Sequence, residues 1–177
     1  METEAQILSR NRRLSAEIGK ALKEKKLKLA TAESCTGGLI GSILTDIPGS
    51  SDYYLGGIIS YDNLVKNKIL GVPADILDNY GAVSAETVTE MARGIRALYS
   101  SFFDKQKIIG LSTSGIAGPG GGTPEKPVGT TWVGLSTSQG DLACLFRWKT
   151  DRLINKQKTV AAALNILWKY LDELDSP

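Results

Sequence analysis

The hydrophobic and polar positions along the chain predict a regular succession of helices and strands. Apolar residues recur at helical spacing over 4–26 and again over 151–174. The inward positions of these helices are predicted to be Ile7, Leu8, Leu14, Ile18, Ala21 and Leu22 in the first, and Val160, Leu164, Leu167 and Trp168 in the last. Apolar runs predict strands at 27–33, 53–61, 107–114, 130–138 and 141–149. We expect 53–61 to be a central strand of the sheet.

Shorter helical segments separate the first strands. The predicted helices are 39–47, about 62–70, a segment after Pro73, and 85–100, which follows Ser84 as its cap. Gln139-Gly140 favours a two-residue hairpin turn between the last two strands. Strands that alternate with helices, followed by an antiparallel hairpin, predict one α/β domain over 1–177. We expect three α/β/α layers around a mixed, mostly parallel sheet.

Composition narrows the classes of function. A net charge of +2 over 177 residues is too small to indicate a nucleic-acid-binding or membrane-surface protein. No apolar run reaches the length of a membrane span, and the polar N-terminal segment is unlike a secretory signal. We therefore expect a cytoplasmic protein without nucleic-acid or membrane partners, and a homodimer as its oligomeric state.

The chain contains no histidine. This excludes Ser-His-Asp and Cys-His catalysis, and every His-ligated metal site, within this chain. The two cysteines, Cys35 and Cys144, match no zinc spacing and are expected to be reduced thiols, so neither a metal nor another cofactor is predicted. A general base here would have to be lysine, tyrosine, aspartate, glutamate or a water.

The sequence SCTGG at 34–38 lies where a predicted strand leads into a helix, which is where open α/β sheets bind ligands. Gly37 and Gly38 would let the backbone approach a ligand. The N–H groups that open the next helix are expected to be free, to hold an oxyanion over Ser34 or Cys35, and to lower the pKa of a thiol there. The alternative is a capping turn with Ser34 or Thr36 as N-cap.

Tyr61 and Lys66 follow the second predicted strand in the sequence SYDNLVK. A lysine acts as a base only when burial or cationic neighbours lower its pKa from about 10.4. The alternative is a solvated helix lysine like Lys68. The spacing of Tyr61 and Lys66 and the lack of a G-x-G-x-x-G turn argue against a nicotinamide redox enzyme.

The segment 115–129 is rich in glycine and proline. Such a segment predicts a rigid loop that brings backbone N–H groups close to an anion. Lys126 at its far end and Arg152 at the start of the last helix would add positive charge, so a phosphate-bearing ligand is predicted. The P-loop pattern is absent, and the alternative is a purely structural turn.

Together these segments resemble the CinA carboxy-terminal domain family, whose enzymatic members are nicotinamide-nucleotide amidases. The matching stretches are TAESCTGGLIGSILTDIPGSS (31–51), ISYDNLVKNKILGV (59–72), GAVSAETVTEMARG (81–94), SGIAGPGGGTPEKPVGTTW (114–132) and TDR (150–152). The resemblance implies a three-layer fold similar to the anticodon-binding fold, with one antiparallel strand. It is closer to stand-alone amidases than to longer members with a molybdopterin-binding-type domain, so pyrophosphatase activity is not expected.

The resemblance also implies an activity and the residues that carry it. The reaction is hydrolysis of the carboxamide of nicotinamide mononucleotide to nicotinate mononucleotide and ammonia, in pyridine nucleotide recycling. Ser34 corresponds to the family's serine nucleophile, Tyr61 to its tyrosine and Lys66 to its lysine. Substrate-binding positions are expected at Cys35, Thr36, Gly37, Gly38, Ser114, Gly115, Gly118, Gly120, Gly121, Lys126 and Arg152.

Two positions depart from the family pattern. Ser114 replaces a threonine but keeps the hydroxyl, and Lys156 replaces an arginine, which keeps the charge but loses the bidentate fork. Three other functions stay open from the sequence: a non-catalytic nucleotide-binding or regulatory module, a different amidase or phosphate-ester hydrolase, and a role in DNA uptake. The last has no basic patch to support it.

Overall fold

The computed structural model describes residues 3–174 and places five strands in one sheet between two layers of helices. The helices are α1 (Glu4–Glu24), α2 (Leu39–Thr45), α3 (Asn63–Lys68), α4 (Ala74–Tyr80), α5 (Ala85–Tyr99) and α6 (Arg152–Glu173). The strands are β1 (Lys28–Glu33), β2 (Tyr54–Ile59), β3 (Ile108–Gly115), β4 (Thr130–Ser136) and β5 (Asp141–Arg147). All the predicted elements are present, with boundaries shifted by one or two residues.

The sheet has the order β2-β1-β3-β4-β5. β1 is parallel to β2 and β3, whereas β4 is antiparallel to both of its neighbours, so it alone runs against the other strands. The mixed, mostly parallel sheet is therefore confirmed. The prediction that 53–61 is central was wrong, because β2 lies at the sheet edge. α2 and α5 pack against β2 there, and its apolar residues stay only partly buried, with Ile59 56% exposed.

Each face of the sheet carries its own hydrophobic core. α1, α2 and α6 cover one face, where Ile18, Leu22 and Leu164 pack with strand residues such as Leu111. α5 covers the other face, where Met91 and Ile95 pack with alanines of β1. Most predicted inward positions of α1 and α6 are fully buried, and the partly buried ones that pack against the same core are Leu8, Leu14, Ala21 and Trp168. These layers confirm the α/β/α architecture.

The parallel strands bring the three candidate segments to one end of the sheet. The carboxyl end of β1 at Glu33 pairs with Ile59 of β2 and with Thr113 of β3. The SCTGG turn, the Tyr61–Lys66 segment and the glycine-rich loop therefore emerge side by side. The first turn of α6 reaches the same place, since Arg152 contacts Gly118. None of the helices within residues 3–174 is long and apolar enough to cross a membrane.

Candidate active site

A cavity of about 280 Å³ opens at this end of the sheet. It brings together most of the predicted site residues, which line it from four different segments: Ser34, Cys35, Tyr61, Lys66, Ser114, Gly115, Gly118, Gly120, Gly121 and Arg152. Four predicted residues, Thr36, Gly37, Gly38 and Lys126, are not part of its lining. The cavity thus joins the candidate nucleophile, the candidate base and a cationic group.

Lys66 is the buried base candidate of this cavity. It lies on the short helix α3, whose first turn is capped by the Asp62 side chain, and only 1% of its surface is exposed. Burial lowers the pKa of Lys66 from its usual 10.5, although Asp62 and Cys35 oppose the shift. The alternative of a solvated lysine is therefore wrong for Lys66, whereas Lys68 is exposed.

Two backbone carbonyls hold the Lys66 amine. Lys66 Nζ donates to Ser60 O at 2.8 Å and to Tyr61 O at 3.3 Å. A neutral amine has two hydrogens and one lone pair, so these two acceptors match the hydrogens of the neutral form. The remaining tetrahedral direction of Nζ is then available for the lone pair, which is the orbital that a general base uses.

Ser34 is held by its backbone at the carboxyl end of β1. Ser34 N–H donates to Thr113 O at 2.9 Å, and Ser34 O accepts from Gly37 N–H at 3.1 Å. The side chain lines the cavity together with Lys66. Among the hydrogen bonds of residues 3–174, none joins Ser34 Oγ to Lys66 Nζ. The two groups share one cavity without a direct hydrogen bond between them.

Glu33 holds the backbone at the end of the SCTGG turn, although no sequence pattern pointed to this residue. Its carboxylate is 2% exposed and accepts three backbone N–H groups, from Gly38 at 2.9 Å, Ile40 at 3.1 Å and Gly41 at 2.9 Å. The prediction that the N–H groups opening α2 are free was therefore wrong. The available signal was a charged residue ending a buried apolar strand, which requires partners.

The turn is not capped in the way that the alternative predicted. The N-cap of α2 is Gly38, in a left-handed conformation with φ 95°, and neither Ser34 nor Thr36 caps it. The Thr36 hydroxyl is paired with Thr113 Oγ1 at 2.8 Å instead. Within the described part of the chain, the N–H of Thr36 has no acceptor, whereas the N–H of Cys35 has no oxygen acceptor but interacts with its own thiol.

Cys35 is not an activated thiol. Burial raises the pKa of Cys35 to about 12, and Glu33 adds to this, against the opposing effects of its own backbone N–H, Lys156 and Lys66. The prediction of a depressed thiol pKa was wrong because desolvation outweighs the nearby donors and cations. The thiol is neutral over the ordinary pH range, which leaves Ser34 as the better nucleophile of the two.

Arg152 links the glycine-rich loop to Tyr61 across the cavity. Its guanidinium donates from Nη1 to Gly118 O at 2.8 Å and from Nη2 to the Tyr61 hydroxyl at 3.0 Å. Tyr61 is 61% exposed, so it stands at the cavity mouth with its hydroxyl engaged by Arg152. The arrangement places one permanent positive charge beside the loop, where an anionic ligand group would be attracted.

The two other candidate cations occupy different places. Lys126 Nζ donates to Tyr80 O at 2.6 Å, outside the cavity lining. Lys156 follows Arg152 by one helical turn, and its Nζ lies 3.8 Å from where a Cβ at Gly37 would stand. The SCTGG turn therefore has a lysine beside it at the position where the family resemblance gives an arginine.

Asn155 supports the glycine-rich loop through hydrogen bonds, although no motif in the sequence pointed to this residue. It is 1% exposed, and its Nδ2 donates to Ala117 O at 3.0 Å and to Thr150 O at 2.9 Å. The available signal was a polar residue on the inward face of α6, four residues before the equally buried Thr159. Residues 3–174 contain no group of three or more Cys, Asp or Glu side chains suited to hold a metal ion.

Comparisons with known proteins agree with this fold. The model of the CinA C-terminal domain matches residues 11–171. A CinA-like protein of Amoebophilus asiaticus is 47% identical over 154 residues, covering 87% of this chain and 36% of that protein. This chain thus spans a little over a third of the length of the curated relatives that it matches.

Solved structures extend the agreement to three dimensions. The competence/damage inducible protein CihA from Agrobacterium tumefaciens is 37% identical with a TM-score of 0.83, covering 92% of this chain and 95% of that one. A CinA superfamily protein from Klebsiella pneumoniae is 29% identical with a TM-score of 0.85, covering 92% and 98%. From the match over residues 11–171 and these relatives, the chain belongs to the CinA C-terminal domain family.

Proposed function

We propose that this chain is an amidohydrolase that converts nicotinamide mononucleotide and water to nicotinate mononucleotide and ammonia. The observation that carries the proposal is the buried Lys66 amine, which shares a cavity with Ser34 and has its two donors taken by carbonyls. Burial favours the neutral form of Lys66 against the opposing charge of Asp62, and a neutral amine is a base. A purely structural lysine gains nothing from facing a serine across a cavity.

The first half of the reaction forms an acyl-enzyme. Ser34 Oγ attacks the carboxamide carbon while its proton passes to the Lys66 lone pair. When the tetrahedral intermediate collapses, the carbon–nitrogen bond breaks and the Lys66 ammonium returns that proton to the departing nitrogen, which leaves as ammonia. The engagement of the Tyr61 hydroxyl by Arg152 supports direct transfer to Lys66 over a relay through Tyr61.

The second half regenerates the enzyme. Water attacks the ester carbon, and one of its protons passes to Lys66. Cleavage of the bond to Ser34 Oγ then releases the carboxylic acid while Lys66 returns the proton to Ser34, and the acid loses its remaining proton to solvent to give the carboxylate. In both halves the N–H groups of Cys35 and Thr36 would stabilise the oxyanion, because they follow the nucleophile directly and have no oxygen acceptor in the described residues. No step requires a histidine.

The other end of the cavity suits the phosphate of a mononucleotide. Arg152 supplies a permanent charge there, and Gly118, Gly120 and Gly121 line the wall with backbone that no side chain shields. The volume of about 280 Å³ fits a nucleotide that is partly open to solvent. Lys126 lies farther along the same loop, and its role in substrate binding stays a prediction.

An ammonia-release assay with nicotinamide mononucleotide tests the proposal. We expect turnover by the wild-type chain and a loss of about 10⁴-fold in Ser34→Ala, since the nucleophile is removed. Cys35→Ala is the matched control next to it: its thiol is neutral, so we expect a change of about threefold or less.

Two results would contradict the proposal. Release of ammonia by Ser34→Ala at the wild-type rate would exclude Ser34 as the nucleophile. Binding of the mononucleotide without any ammonia release by the wild-type chain would favour a non-catalytic nucleotide-binding or regulatory module of this family. Turnover of other carboxamides or phosphate esters in a substrate panel would point to a different hydrolase.

A further inference from the structure

Asn155 and Arg152 hold two consecutive carbonyl groups of the glycine-rich loop. Asn155 Nδ2 donates to Ala117 O at 3.0 Å, and Arg152 Nη1 donates to Gly118 O at 2.8 Å. Asn155 is buried and is not part of the cavity lining, whereas Ala117 and Gly118 both are. The Asn155 amide therefore hydrogen-bonds to the loop from the side opposite to the cavity.

The orientation of the Asn155 amide is itself fixed. Its Oδ1 accepts from Thr150 Oγ1 at 2.6 Å, which leaves Nδ2 to face the carbonyls of Ala117 and Thr150. The backbone of Asn155 is tied as well, because Thr159 Oγ1 donates to Asn155 O at 2.8 Å. Because both the oxygen and the nitrogen of this buried amide are hydrogen-bonded, the side chain has a single favourable orientation.

The hydrogen bond from Asn155 to Ala117 O determines the direction of the Gly118 N–H. The bond between Ala117 and Gly118 is trans, so its C=O and N–H groups point in opposite directions. With the carbonyl turned back toward Asn155, Gly118 N–H is turned toward the cavity. Within residues 3–174 that N–H has no acceptor. Gly118 has φ 92°, and a Cβ there would collide with Val128, so only glycine fits this backbone position.

The N–H of Gly118 adjoins the permanent charge of Arg152, whose guanidinium contacts the carbonyl of the same residue. An anionic group attracted by Arg152 would meet Gly118 N–H at short range. We propose that Asn155 is a positioning residue that holds the Ala117–Gly118 peptide with Gly118 N–H directed at the phosphate of the bound ligand. This inference rests on the proposed function for the identity of the ligand, and it adds how the loop is made ready to bind it.

Binding of ribose 5-phosphate, with ribose as the neutral counterpart, tests the inference without any chemical turnover. Asn155→Asp keeps an acceptor for Thr150 but opposes Ala117 O with an oxygen, so the peptide loses its orientation. We expect calorimetry to show ribose 5-phosphate binding weakened by about 10-fold or more, the loss typical of a hydrogen bond to a charged group. Asn165→Asp, which makes the same change on an exposed turn of α6, is expected to bind like the wild type.

Two further measurements keep the test decisive if Asn155→Asp folds poorly. Thr150→Val removes only the hydroxyl that orients the amide, and we expect it to weaken ribose 5-phosphate binding by a smaller factor. In the wild-type chain, the amide proton of Gly118 should move downfield in NMR spectra as ribose 5-phosphate saturates the protein, and it should not move with ribose.

Three outcomes would overturn the inference. They are wild-type affinity for ribose 5-phosphate in a folded Asn155→Asp variant, an equal loss of affinity for ribose 5-phosphate and ribose, and a Gly118 amide proton that ignores the phosphate. The fate of the proposed function is separate. If the chain binds ribose 5-phosphate through Asn155 but releases no ammonia, this inference holds and the proposed amidase activity fails. If the chain releases ammonia but Asn155 does not affect ribose 5-phosphate binding, the proposed activity holds and this inference fails.

Discussion

The two ends of the cavity are built on opposite physical principles. At the reacting end, Ser34 is 8% and Lys66 1% exposed, and burial lowers the pKa of Lys66. At the binding end, Tyr61 and Arg152 are exposed, and their positions come from hydrogen bonds to each other and to Gly118. Desolvation favours the neutral Lys66 amine at one end, whereas an exposed cation, Arg152, lies at the other.

Both ends of the cavity are supported in the same way. Each is supported by a buried polar side chain that binds backbone groups: Glu33 accepts the N–H groups of Gly38, Ile40 and Gly41 at the start of α2, and Asn155 donates to the carbonyls of Ala117 and Thr150. In each case a neighbouring N–H group, that of Thr36 or that of Gly118, has no acceptor within the described residues. The proposed catalytic residues and the residues that support them are therefore separate sets.

Removing the buried amine should have the largest effect on the reacting end. We expect Lys66→Met to lower kcat by about a thousandfold, within the range that a positioned base contributes, with a much smaller change in KM. Lys68→Met on the same helix is the control, because that lysine is exposed and outside the cavity. Comparable losses in both variants would show that the helix, and not the buried amine, matters.

The same variant tests the protonation state of Lys66. Activity needs the neutral amine, so kcat/KM of the wild type should rise with pH through a pKa below 10.5, and this rise should vanish in Lys66→Met. Stability has the same sign. Between the lowered folded pKa and 10.5 the unfolded chain binds more protons, so the free energy of unfolding should rise with pH across that window. Lys66→Met should lose that slope.

Loss of the support at the reacting end should come next in size. Glu33→Ala leaves the N–H groups of Gly38, Ile40 and Gly41 without their acceptor, so we expect the free energy of unfolding to fall by about 3 kcal/mol in urea titrations. Glu86→Ala is the control. It also removes an acidic residue from the first turn of a helix, but there Ser84 makes the cap, and the loss should be about 0.5 kcal/mol. Equal losses would contradict a special role for Glu33.

The sequence predicted the elements well, and it pointed to residues that the fold brings to one cavity, because both the elements and these motifs can be recognised from local sequence. Periodicity located the helices and strands, and unusual motifs marked Ser34, Lys66 and Arg152, which the fold brings to one cavity. Strand order cannot be recognised from local sequence: the apolar run of β2 is typical of a central strand, yet β2 lies at the sheet edge and is only partly buried. Glu33 and Asn155 were missed for the same reason, since their roles depend on burial and on partners distant in sequence.

The smallest effect should come from Tyr61, and it decides to which end of the cavity this residue belongs. Tyr61→Phe removes the hydroxyl that accepts from Arg152 Nη2 but keeps the carbonyl that holds Lys66. Arg152 then retains only its hydrogen bond to Gly118 O, so its guanidinium gains conformational freedom at the cavity mouth. We expect KM to rise by about tenfold or less while kcat changes by less than about threefold.

A relay of the Ser34 proton through the Tyr61 hydroxyl predicts the reverse split: a large fall in kcat with little change in KM. Steady-state kinetics of Tyr61→Phe therefore separate the two paths. Tyr80→Phe is a suitable control, since Tyr80 is an exposed tyrosine outside the cavity lining. If kcat of Tyr61→Phe falls as far as that of Lys66→Met, Tyr61 belongs to the reacting end, and the separation of the cavity into a buried reacting end and an open binding end fails at this residue.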